Sequence, residues 1–199
     1  MSYRAPIQEQ LFVLETVAEL AALAELPRFE SGTPDVAAAI LEESRKLAEN
    51  IFAPLNSIGD IQGARRSAHG VTLPAGFDEV YNHYVNGSWA GLTADVAFGG
   101  QRLPFDLGCA VQEQLSSANM AFSLCMMLTQ GAIEALSVHA SEGLKRTYLA
   151  NLVSGNESFP RTKIATAEFF VQQILPQVNG LLPAVTSDAT ALLSADNDW

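Results

Sequence analysis

The chain has 199 residues, a formal net charge of −11 and a pI near 4.6. That balance argues against nucleic acid as a partner, because such binding relies on Lys and Arg neutralising phosphates. Apolar residues make up 48% of the chain and charged residues only 17%, against about 25% charged in typical soluble domains. The chain must therefore pack tightly or leave apolar area for a partner. Its length points to one domain, or one domain with an appendage, large enough to bury roughly 70% of its unfolded surface.

Residues 1–30 read as one helix. Pro6 suits its first turn, Leu11, Leu14, Val17, Ala18, Ala21 and Ala24 form its stripe, and Pro27 ends it. Gly32-Thr33-Pro34-Asp35 opens the next, with Thr33 as N-cap, Pro34 at the first helical position and Asp35 favouring the dipole. Val36, Ile40, Leu41, Leu47, Ile51, Phe52 and Leu55 carry the i, i+3/i+4 rhythm. The sequence predicts a stop near Ala53-Pro54-Leu55-Asn56 and a turn at Gly59-Asp60. Residues 60–73 have no sustained period and read as a loop or short hairpin. There Arg65-Arg66, the densest positive charge in the chain, reads as solvated. A short helix follows Pro74, with Phe77, Val80, Tyr81 and Tyr84 on one side, and Asn86-Gly87 breaks it.

A glycine-rich turn, Ala97-Phe98-Gly99-Gly100-Gln101, then leads into a helix with Leu103, Leu107, Val111 and Leu115 on its buried face. The run from Met120 to Leu136 is apolar on nearly every side and reads as a core helix. Ser141 is a good N-cap, Glu142 suits the positive end of the helix behind it, and Gly155 is a plausible stop. Cys109 and Cys125 lie in these apolar runs and read as free buried thiols. His69, His83 and His139 are far apart, with no Cys or carboxylate at ligand spacing. No HExxH, CxxC pair, GxSxG or phosphate loop occurs. With no signal-peptide pattern at the start and no unbroken run of about 18 apolar residues, a cytoplasmic protein without a membrane span is expected.

The order of three pieces resembles the acyl-CoA dehydrogenases. These are Gly99-Gly100-Gln101 with Leu103-Pro104, Glu113 followed by Ser116-Ser117-Ala118-Asn119, and the stretch from Glu142 to Glu157. Each piece alone is weak; their order over nearly seventy residues is specific. The opening Ser2-Tyr3-Arg4-Ala5-Pro6 with Phe12-Val13-Leu14, and the segment Ala53-Pro54-Leu55-Asn56 with Gly59-Asp60, resemble one large bacterial subfamily. The resemblance implies an all-α fold for residues 1–157, the family's N-terminal helical domain. It also implies FAD as the family's cofactor and acyl-CoA as its substrate. A chain of this charge repels coenzyme A at long range, although a local basic pair can still hold it. In the family this helical layer closes the far end of the acyl pocket, which points to Phe122, Met126 and Gln130. Spaced i, i+4 and i+8, they share one helix face.

After Ser154-Gly155-Asn156-Glu157 the family continues into a β-sheet domain that makes most of the flavin contacts. Here residues 158–199 read as a helical tail, with Ile164, Ala167, Val171, Ile174 and Leu175 before Pro176, then Leu181 to Leu193. This tail resembles the last helices of the same subfamily, so the two ends of the enzyme read as joined with the middle missing. Dehydrogenation takes a proton from Cα and a hydride from Cβ, and so needs a positioned carboxylate and a flavin. Glu113, Glu134 and Glu157 are available, but none lies in the family's base motif. No catalytic, flavin-binding or metal-binding residue is assigned. The expectation is a chain that binds no FAD and catalyses nothing alone, or a non-enzymatic helical interaction module. Leu107, Val111, Phe122 and Met126, stripped of their covering domains, are expected to drive self-association or binding to a full-length relative.

Overall fold

Residues 3–67 and 70–155 are described by the structure, a computed structural model. They form eight α-helices and one two-stranded hairpin, so this part of the chain is all-α with a minor β element. The tail and its predicted helices lie outside the described residues.

The first thirty residues hold two helices, α1 (Ile7–Thr16) and α2 (Leu20–Ala24), in place of the single helix expected. The chain breaks at Glu19, whose φ of 49° is left-handed. Leu14 and Leu20 are both buried, and at about 100° per residue a straight helix would point them about 120° apart. The break brings both into one core.

Helix α3 (Pro34–Leu47) starts as its sequence dictates: the Thr33 side chain accepts from the Val36 amide at 3.4 Å and Pro34 occupies the first turn. It does not stop at Pro54. Residues Ala48–Phe52 form one π-helical turn, and α4 (Ala53–Gln62) continues to Gly63, whose φ is 61°. The wider turn accommodates a proline that would clash inside a regular helix. Gly59 is therefore helical and makes no turn. A β-carbon there would meet Phe77 Cζ at 2.8 Å, so the glycine lets the ring of the next helix lie against α4.

The hairpin pairs β1 (Arg65–Ser67) with β2 (Gly70–Thr72), Arg66 opposite Val71. Arg65 and Arg66 are exposed on it. Helix α5 (Phe77–Asn86) ends at Gly87 as predicted. Two short 3-10 turns, Trp89–Gly91 and Val96–Phe98, lead to α6 (Phe105–Ala118), α7 (Met120–His139) and α8 (Glu142–Ser154). At the sharp α6–α7 junction Asn119 is buried. Its Oδ1 accepts from the Phe122 amide at 3.1 Å, while its Nδ2 donates to the Phe52 carbonyl of the π turn at 3.3 Å.

Helix α6 packs on α3 and on α7, and α7 packs on α8. Phe122 sits between Phe52 and Phe77, edge-on to both with centroids 5.1 and 5.0 Å apart, the geometry aromatic quadrupoles favour. Leu107, Val111, Phe122 and Met126 are all at most 5% exposed. Without covering domains these four had to face water, cover one another or meet another chain, and they lie buried together in the core cluster. Apolar side chains left in water among the described residues include Phe12, Val13 and Val17 near α1, Phe105, and Met120, Leu124, Met127, Leu128 and Val138 of α7. So α7 is a core helix on one face only. It is long and apolar enough to cross a membrane by length and composition, but it packs here within the helical layer. The cysteines are also corrected. Cys109 is exposed because the buried stripe of α6 runs through Leu107, Ala110, Val111 and Gln114, and Cys125 is half-buried.

Candidate functional site

A cleft of about 790 Å³ opens between α6, α7 and the strap 89–98. The strap is held by main-chain bonds, Gln101 N to Gly91 O at 2.8 Å, Arg102 N to Ala94 O at 2.9 Å and Leu103 N to Leu92 O at 3.0 Å. Gly100 makes this possible, because a β-carbon there would sit 2.1 Å from the Ala94 carbonyl oxygen. The strap presents Trp89 and Phe98 to the cleft, and α6 adds Phe105.

Of the three residues the sequence points to, Gln130 lines the cleft. Its Nε2 donates to the Ala90 carbonyl at 2.7 Å, tying α7 to the strap. It also hydrogen-bonds the Tyr84 hydroxyl; burial raises the pKa of that phenol and this bond partly offsets the rise. Phe122 and Met126 do not line the cleft; they pack into the core. Met127, Gly131, Glu134 and Val138 form the α7 wall instead. Sequence reasoning passed over Trp89, Phe98, Phe105 and Gly131. The signal available for Gly131 was a glycine in the middle of a helical run, which asks for a reason.

Two carboxylates line the cleft. Asp95 accepts from the Ala97 amide at 2.8 Å and from Arg102 Nη2 at 2.6 Å, and these bonds, the amide first, hold its pKa below the ordinary carboxylate value. Glu134 is exposed. Glu113 lies outside the cleft and accepts from Gln10 Nε2 at 2.8 Å; Glu157 lies outside the described residues. Arg28 and Lys145 bring positive charge to the cleft, Lys145 with Glu142 at 3.2 Å. Cys109 also lines it, with a thiol whose pKa is raised by burial and by Asp106. Among the described residues no group of His, Cys, Asp and Glu could hold a metal, and His83 and His139 are exposed.

A flavin needs donors converging on its ring edge and cations or amides on its pyrophosphate. Among the described residues of the cleft the Gln130 amide is committed to Ala90 and Lys145 lies against Glu142, so Arg28 is left as the cation there and the lining does not make a complete flavin site.

The described residues thus form a helical layer with this cleft, bounded by a glycine-shaped strap and pinned at the Asn119 junction. The family model for the acyl-CoA dehydrogenase N-terminal domain matches residues 37–156, well over half of the chain. The chain belongs to the acyl-CoA dehydrogenase family. It is similar to 3-methylmercaptopropionyl-CoA dehydrogenase of Ruegeria pomeroyi, at 37% identity over 158 residues, which is 79% of this chain. The matched region is 27% of that relative, so the chain spans about a quarter of its length.

Proposed function

We propose that this helical layer is the acyl-binding wall of an FAD-dependent acyl-CoA dehydrogenase, and that the chain does not complete the dehydrogenation by itself. The carboxylates of the cleft carry this reading. A base that takes an α-proton at neutral pH works best with a pKa raised toward the working pH by burial. Asp95 is moved the other way, and Glu134 stands in water. Gln130 is the one residue of the predicted trio that we place against the acyl group, with Phe122 and Met126 packed in the core beneath it. The relative's name specifies a CoA thioester, and a CoA thioester is the substrate class we assign to the cleft. The test is a spectrum of the purified chain followed by an acceptor-dye assay with acyl-CoA. A colourless protein and no dye reduction are expected. Bound flavin bleached by acyl-CoA would overturn the reading.

A second reading has its own observation. Met120, Leu124, Met127, Leu128 and Val138 of α7 are each between 42% and 62% exposed, and 120, 124, 127, 131 and 138 follow the spacing of an interhelical seam. This favours a helical interaction module that associates with a second copy or with a full-length relative.

A further inference from the structure

Two glycines stand in the cleft wall, and they differ. On α6, a β-carbon at Gly108 would meet Thr93 Cγ2 at 2.6 Å, so that glycine is needed for the strap to lie against the helix. On α7, a β-carbon at Gly131 would meet nothing within 4 Å among the described residues. Glycine inside a helix is less stable than alanine because it loses more backbone freedom. No packing contact in the helical layer explains its presence at 131. Gly131 is exposed on the cleft wall, so its missing side chain leaves open space there, a recess relative to its neighbours on α7 that carry side chains.

The rest of the lining says what shape of ligand would use that recess. Trp89, Phe98 and Phe105 converge on the same space as Met127 and Val138. Phe105 is 66% exposed, a large apolar ring left in water on a cleft wall. A straight alkyl chain is narrow and would leave both the recess and the ring faces unfilled. A flat ring fills the recess and can stack or sit edge-on against aromatic walls, with about 4.5–7 Å between centroids.

We propose that the cleft takes acyl groups bearing an aromatic ring in preference to straight alkyl chains, and that Gly131 sets this preference. The inference rests on reading the cleft as the acyl wall. The probes are the N-acetylcysteamine thioesters of 3-phenylpropionate and octanoate, whose uncharged carrier avoids the long-range repulsion of a −11 chain. The chain has two tryptophans; in a Trp199→Phe background the fluorescence reports Trp89. The phenylpropionyl probe should bind about tenfold tighter than the octanoyl probe, the scale on which a hydrophobic pocket discriminates shape. Gly131→Leu should weaken the aryl probe by about tenfold or more and leave the octanoyl probe within about twofold, with Gly131→Ala between. Both variants add helix propensity, and circular dichroism checks that both proteins are folded. Equal affinity for the two probes, or parallel loss of both in Gly131→Leu, overturns the aryl preference and leaves the acyl wall standing. Saturable quenching by neither probe overturns both.

Discussion

Gln114 lies fully buried where α1, α3 and α6 meet. Its Nε2 donates to Gln10 Oε1 at 2.7 Å and to the Leu41 carbonyl at 3.4 Å, and its Oε1 accepts from the Ser44 hydroxyl. Gln10 in turn donates to the Ala110 carbonyl at 3.0 Å. Removing the amide orphans buried groups on two other helices, each at a cost of about 1–3 kcal/mol. Gln114→Leu should therefore lower stability by about 2–4 kcal/mol in urea unfolding. Adding Ser44→Ala should cost less than the two single changes summed, because they share one network. Asp95 offers a pH test. Its pKa is lower in the fold than in the unfolded chain, so its contribution is full above the unfolded value of about 3.9 and is lost as pH falls through the folded value. Its side chain is 40% exposed, so solvent screens the Arg102 pair. Asp95→Ala should cost about 1 kcal/mol at pH 7, mostly for the lost cap, and the gap to the parent should narrow below about pH 4.

The same substitution should have opposite signs in two helical elements. Gly155 closes α8 with a φ of 69°, and a β-carbon there would lie 2.8 Å from Val85 Cγ2. Gly155→Ala forces a side chain into a left-handed position and a filled space, and should cost about 1–2 kcal/mol. Gly131 sits at ordinary helical geometry within α7 with room around it, so Gly131→Ala should raise stability by up to about 1 kcal/mol. Thermal unfolding of the two variants measures both effects. An element's ends were readable wherever a local cap decides them: Thr33, Ser141, Gly87 and Gly155 all act as their residue types predict. The break at Glu19 and the passage of Pro54 were not readable, because a residue-to-residue pattern carries no information on where Leu20 must be buried or on how a π turn relieves a proline.

At the scale of the molecule, part of the apolar surplus of the composition reappears among the described residues as the exposed face of α7 and as Phe105. Fully burying one large apolar side chain is worth about 1.5–3 kcal/mol, and these are already half covered. Association costs at least about 4 kcal/mol, so the second reading predicts a weak complex of about micromolar affinity. Sedimentation velocity should show concentration-dependent dimers. Replacing Leu124 and Leu128 by Lys should return the chain to monomer without loss of helix content, since both side chains stand in water. A parent chain that sediments as a monomer at every concentration would remove this reading and leave the cleft unaffected.

By itself the sequence determined the helical class, the main caps, and the family, because capping and period are local and because the order of the Gly99-Gly100-Gln101, Glu113 to Asn119 and Glu142 to Glu157 pieces survives without knowing their contacts. It named Gln130 on the right helix for the cleft. Only the tertiary structure decided which side of α7 faces the core. A helix apolar all round has no orientation in its own sequence, and it is the rings of Phe52 and Phe77, 70 and 45 positions before Phe122, that claim Phe122 for the interior. Once that face is fixed, Met127, Gly131 and Val138 are turned toward the cleft and the strap carrying Trp89 is docked through Gln130. The site is a product of that orientation, which depends on contacts between residues distant in sequence, and so no local pattern could contain it.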